Sequence, residues 1–136
     1  MSRTSMRSLI VGGVALLQAL VFSAFAMSQQ AALEQDARLV ELMGKAGADF
    51  SKSHRVDYFF WMPTGPGANA IATELAANGY EVKNIQLAPR TVLWEVQVQR
   101  VQLIKVEEMQ ATTRVLTELA RRHGGEYDGW GVPVGK

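Results

Sequence analysis

Arg122-His123-Gly124-Gly125-Glu126-Tyr127-Asp128-Gly129-Trp130 is the stretch on which the reading of the chain turns. Basic residues at 121 and 122 followed by a glycine pair are what the last turn of a helix and its left-handed cap require. The residues after the glycines change period: Tyr127, Trp130 and Val132 suit extended backbone, and Asp128-Gly129 is a turn or bulge signal inside that extended run. A helix therefore passes almost directly into a strand spanning 127–134.

Reading backwards from that joint, Glu107 and Glu108 sit where the positive end of a helix dipole favours them. Between them and the glycines, Met109, Thr112 or Thr113, Leu116, Leu119 or Ala120, and His123 recur at helical spacing, which predicts one buried stripe. Residues 91–105 alternate instead. Trp94, Val96 and Val98 face one way and Glu95, Gln97 and Gln99 the other, the pattern of a strand with one dry face. Residues 80–87 form another strand, broken by Ala88-Pro89-Arg90. Thr64-Gly65-Pro66-Gly67 opens a helix that runs through Ile71 and Leu75 and stops at Gly79. Val56-Asp57-Tyr58-Phe59-Phe60-Trp61-Met62, bounded by Pro63, reads as an aromatic strand. The order βαββαβ predicts an α+β, ferredoxin-like fold with two helices on one face of a four-stranded sheet. The opposite face is then open or covered by something else, and function is to be sought there first.

Outside this block, residues 29–45 form an amphipathic helical pattern with Leu33, Ala37, Val40 and Met43 or Gly44 on one side. It reads either as a spacer or as a helix packed on the domain, and 48–54 has the composition of a linker. Further out, Arg3 and Arg7 precede an uncharged apolar run from Leu9 to Val21, and Ala24-Phe25-Ala26 supplies the small residues that a signal peptidase reads, placing a cut between Ala26 and Met27. The same run, extended over 9–27, approaches the length of an uncleaved membrane anchor. In both cases the positive flank stays inside and the domain goes out. The expected organisation is a signal or anchor at 1–26, a helical spacer and linker at 27–54, and the ferredoxin-like domain at 55–136. The expected location is outside the cytoplasm, periplasmic or anchored to the inner membrane.

Charge excludes several classes of partner. The chain has 14 Lys+Arg and 13 Asp+Glu. Arg3 and Arg7 are the only charges in the leader, so the remainder has 12 basic and 13 acidic groups and no strong field for phosphate backbones. Membrane association is expected only through 9–27. With no cysteine, disulfides and thiol chemistry are out of reach. His54 and His123 have no ligand spacing around them, so neither a metal nor another cofactor is expected. Gly65-Pro66-Gly67 lacks the lysine and spacing of a phosphate loop. No nucleophile stands at motif spacing from a base, and no enzymatic activity is expected.

Several of these segments together resemble the regulator of ribonuclease activity B family, small bacterial proteins named for an inhibitor of ribonuclease E. They are Gly47-Ala48-Asp49-Phe50-Ser51-Lys52, the aromatic strand ending in Pro63, Asn78-Gly79-Tyr80-Glu81-Val82 and the terminal block from Arg122 to Trp130. The resemblance covers 43–134 and is carried by loops and aromatics rather than by a catalytic fingerprint. It implies a regulatory, non-catalytic role with a protein partner. The named inhibitor is strongly acidic and has no export segment. A near-neutral domain behind a leader directs the expectation to the cell envelope; the alternative is a cytoplasmic-facing inhibitor of ribonuclease E that modulates RNA turnover.

The candidate partner-binding residues follow from the two aromatic segments. Tyr127, Asp128 and Trp130 have the amphipathic chemistry of interface anchors, although aromatics beside Asp-Gly are more commonly used to close a core edge. Phe59 and Trp61 alternate with Tyr58, Phe60 and Met62, so one aromatic set faces the helices and the other does not. On the open face they would join Glu95, Gln97 and Gln99, acidic and amide neighbours that do not suit RNA stacking. Packing against the N-terminal helix or a second copy of the chain, as a homo-oligomer, is the expectation for that pair.

Overall fold

A computed structural model describes residues 28–133. The leader, its cleavage position at Ala26 and Met27, and Val134 lie outside the described residues. Among the described residues no helix is long and apolar enough to cross a membrane. The chain divides into two compact units between Glu34 and Gln35. Residues 28–45 are helical, here α1; its residues from 35 onward belong to the second unit, which also contains the whole sheet.

That unit follows the order β1 (His54–Met62), α2 (Gly65–Ala77), β2 (Glu81–Leu87), β3 (Trp94–Gln102), α3 (Val106–Arg122) and β4 (Glu126–Gly131). The strands form one antiparallel sheet in the order β2-β3-β1-β4. The fold is α+β and ferredoxin-like, with α2 and α3 each connecting two strands that are not neighbours.

The sheet divides the chain's side chains by alternation. Val56, Tyr58, Phe60 and Met62 of β1 are fully buried, as are Val96 and Val98 of β3. They pack under Ala68, Ile71, Ala72 and Leu75 of α2 and Met109, Thr113, Leu116, Leu119 and Ala120 of α3. Tyr58 meets Tyr80 edge to face with ring centroids 5.4 Å apart, a geometry the ring quadrupoles favour.

Local chemistry sets the helix ends. The Thr64 hydroxyl accepts from the Gly67 N–H at 3.0 Å, and Pro66 occupies the first turn, where its missing N–H costs nothing. At the end of α3, Gly124 takes φ +80° and the Gly125 N–H donates to the Ala120 carbonyl at 2.9 Å, which is how a left-handed cap satisfies orphan carbonyls. Gly125 is required for a different reason: a Cβ there would collide with the Met62 sulfur and the Trp61 carbonyl oxygen. The glycine pair thus ends the helix with one member and lets β4 approach β1 with the other.

Asp128-Gly129 forms a bulge in β4. Phe59 pairs with Gly129 and Phe60 with Tyr127, so Asp128 is the extra residue, and Gly129 takes φ +116°. In a regular strand, residues three apart point to opposite faces. The bulge cancels that, and Tyr127 and Trp130 both turn toward the helices, opposite Phe60 and Tyr58.

Of the two roles left open for the N-terminal helix, packing is what the structure shows for its part from Gln35. Val40 joins the core, and Leu39, Met43 and Phe50 lie against it. The Asp36 carboxylate, 6% exposed, accepts from the Thr113 hydroxyl at 2.5 Å and from Trp130 Nε1 at 2.8 Å. These contacts put residues 35–45 of α1 on the helical side, beside α3. The expectation that this helix covers Phe59 and Trp61 is therefore corrected: a buried carboxylate needs donors, and Thr113 and Trp130 supply them on the other side of the sheet. Residues 49–54 are a structured joint. Asp49 accepts from the Ser51 N–H at 3.0 Å and its hydroxyl at 2.6 Å, which holds the carboxyl below its usual range.

Candidate protein-docking face

The face of the sheet away from the helices is built by the positions that alternation excludes from the core. In register across it stand Glu81, Gln99, Asp57 and Gly131; then Asn84, Gln97, Phe59 and Gly129; then Gln86, Glu95, Trp61 and Glu126. Phe59 and Trp61 are half-buried by these neighbours and keep part of their rings toward solvent. A Cβ added at Gly129 or Gly131 would meet nothing within 4 Å, so both positions of β4 are open.

The face is acidic and rich in amides. Gln99 Nε2 donates to Asp57 Oδ1 at 2.7 Å, and Gln86 Nε2 reaches Glu95 Oε1 at 3.4 Å. Among the rows above there is no basic residue. Lys83 lies at the β2 bulge, paired with Glu81 at 3.5 Å, and Arg55 is opposite Val101 at the far end of β1. At the Trp61 end the face passes into an apolar groove of about 310 Å³, lined by Trp61, Pro63, Leu93 and the Gly124–Glu126 joint among others. The β2–β3 hairpin beside it exposes Leu87, Leu93 and Val92, the last 79% exposed.

The sequence-derived candidates separate on this geometry. Phe59, Trp61, Glu95 and Gln97 share the open face. Asp128 is exposed on the bulge. Tyr127 and Trp130 are not available to a partner: Trp130 is 8% exposed within the core, and Tyr127 packs on Phe60 at 5.3 Å between ring centroids. Their reading as interface anchors is corrected in favour of core closure, because the bulge turns both inward. The Tyr127 hydroxyl is buried and makes no hydrogen bond of its own. Burial foremost, with the nearby Tyr58 and Asp36, drives its ionisation far above the usual phenol range, and the Thr113 hydroxyl beside it lowers that only in part.

Asp36 is the residue that the sequence reading passed over. Burial raises its carboxyl above the usual value, opposed by the donors on Thr113 and Trp130. Its spacing did carry a signal, since it lies three residues after Leu33 and four before Val40, inside the apolar stripe. The histidines have structural partners: His54 Nε2 bonds the Asp49 carbonyl at 2.8 Å, and His123 Nε2 meets Glu74 at 3.0 Å across the ends of α3 and α2. A second groove of about 340 Å³, between α2 and α3, contains Arg122 and the Arg100 guanidinium, which lies 4.3 Å over the Tyr80 ring.

Residues 33–132 match the family described as Regulator of ribonuclease activity B. Among curated proteins, none matches the chain at a significant level. The matched span begins inside α1 and ends just after β4, so it takes in the part of α1 that carries Asp36.

Proposed function

Because the chain belongs to the regulator of ribonuclease activity B family, we propose that it is a non-catalytic regulator that works by docking a protein partner on the open face of its sheet, in the cell envelope. The observation that carries this is the partial exposure of Phe59 and Trp61 on the face of the sheet away from α2 and α3. Aromatic rings ringed by amides and carboxylates suit a protein surface, where rings anchor and polar neighbours set register. The same carboxylates repel a phosphate backbone. The envelope location rests on Arg3, Arg7, the apolar run and Ala24-Phe25-Ala26. The second reading, a cytoplasmic-facing inhibitor of ribonuclease E, is favoured by the family match alone.

The test places a photo-crosslinking residue at Gln97 in living cells, with a control at Val115, which is 64% exposed on α3, and a compartment-sensitive reporter after Lys136. The expected result is a crosslinked protein from position 97 and not from 115, with the reporter active outside the cytoplasm. An adduct of two copies of the chain would instead make the face a homo-oligomer interface. A cytoplasmic reporter signal with ribonuclease E in the adduct would install the second reading.

A further inference from the structure

Trp61 has a position unlike any other on the open face. Its register partner on β3 is Glu95 and its register partner on β4 is Glu126. Directly opposed residues share a face with Cβ atoms about 4.5–5.5 Å apart, so one indole is flanked by a carboxylate on each side. Neither carboxylate has an ion-pair partner among the described residues; Glu95 is approached only by the neutral Gln86 amide, at 3.4 Å. Asp57, two residues along β1, is different, since Gln99 satisfies it at 2.7 Å.

Resting on the docking reading above, we infer that Trp61, Glu95 and Glu126 form a subsite for one cationic side chain, an arginine or lysine offered by a basic segment of the partner. Each part of such a side chain has a counterpart. The methylene stem fits the apolar groove of Trp61, Pro63 and Leu93, as long cationic side chains bury their stems while keeping the head polar. The charged head meets the negative face of the indole and two carboxylates that accept charge-assisted hydrogen bonds. The nearest strand positions in that row, Gln86 and Glu95 on one side and Glu126 on the other, contain no cation to compete. An acidic or phosphorylated partner segment would face two uncompensated carboxylates.

The test follows the three tryptophan indole N–H signals, Trp61, Trp94 and Trp130, by NMR of the full chain in a neutral detergent at low salt. The probes are N-acetyl-arginine amide, N-acetyl-lysine amide and the neutral N-acetyl-norleucine amide. The Trp61 signal is expected to move saturably with both cationic probes and not with norleucine. In E95Q/E126Q the apparent affinity is expected to fall about tenfold or more, while the Trp94 and Trp130 signals hold their positions and report an intact fold. An equal response to norleucine, an unchanged affinity in E95Q/E126Q, or no movement of Trp61 would each overturn the subsite. A partner captured at Gln97 with no cation binding at Trp61 removes the subsite and leaves the docking reading. Cation binding at Trp61 with no adduct at Gln97 does the reverse.

Discussion

Phe59 and Phe60 are consecutive residues of one strand, identical in chemistry and opposite in fate. Phe60 has no exposed surface and packs on Tyr127 beneath the helices, while Phe59 lies beside two glycines with part of its ring in water. The difference is entirely one of pleat direction. It shows that one face of this sheet is committed to holding the fold while the other keeps part of its aromatic surface in solvent. The sharpest way to break that division is to truncate both rings. Phe60→Ala should cost about 3–5 kcal/mol in equilibrium denaturation, because it removes a large buried ring and leaves a cavity. Phe59→Ala should cost about 1 kcal/mol or less, in line with surface positions. A loss above about 2 kcal/mol for Phe59→Ala would mean that the open face is structural after all.

The division was largely legible in the residues. Strict alternation from Trp94 to Gln99 gives both faces of β3, and the Arg-Arg-His-Gly-Gly stop gives the end of α3. Alternation alone puts Glu95 and Gln97 on one face and Phe59 with Trp61 on one face, and the register of β1 with β3 makes the two faces the same. Two features were not legible, each for a physical reason. The direction of Tyr127 and Trp130 depends on whether Asp128-Gly129 makes a turn or a bulge, and only pairing with β1 decides that. The packing of α1 depends on a polar contact between residues separated by 77 and 94 positions, which no local period encodes. Leu87, Val92 and Leu93 at the hairpin also read as ordinary strand and loop residues until the fold left them uncovered.

The covered face has its own exception, and it sharpens the comparison. Beside the apolar contacts of Val40, Leu39 and Met43, a carboxylate ties α1 to α3 and β4, and its removal tests whether polar burial is structural here. Asp36→Ala should destabilise by about 1–3 kcal/mol, since the Thr113 hydroxyl and Trp130 Nε1–H are both left without an acceptor. Thr113→Val should cost less, because it removes one of the two donors and keeps the side chain's size, leaving Trp130 Nε1–H on the carboxylate. Chemical denaturation of the two variants checks the order. Equal stability of wild type and Asp36→Ala would show that Asp36 does not secure the helix.

The smallest expected effect is a slope, and it separates the two carboxylates that frame α1 and its joint to β1. Asp36 has its folded value raised above 3.8, foremost by burial and against the donors of Thr113 and Trp130. The folded chain therefore binds that proton more tightly than the unfolded chain. The stability it contributes is full below 3.8 and is lost as pH rises through the folded value. Asp49 has the opposite sign. Its carboxyl is lowered from 3.8, foremost by the Ser51 hydroxyl and then by the Ser51 N–H, so its contribution is present above 3.8 and disappears as pH falls through the lowered value. The two windows lie on opposite sides of the same pH. Asp36→Asn keeps an acceptor for Trp130 and a donor for Thr113 but cannot ionise. Melting temperatures measured from pH 3 upward, in steps of about half a unit, should fall more steeply above 3.8 for wild type than for Asp36→Asn, while the acid-side limb stays shared. Parallel curves above 3.8 would mean that the hydrogen bonds from Thr113 and Trp130 fully offset burial, and that Asp36 is held ionised at no net cost.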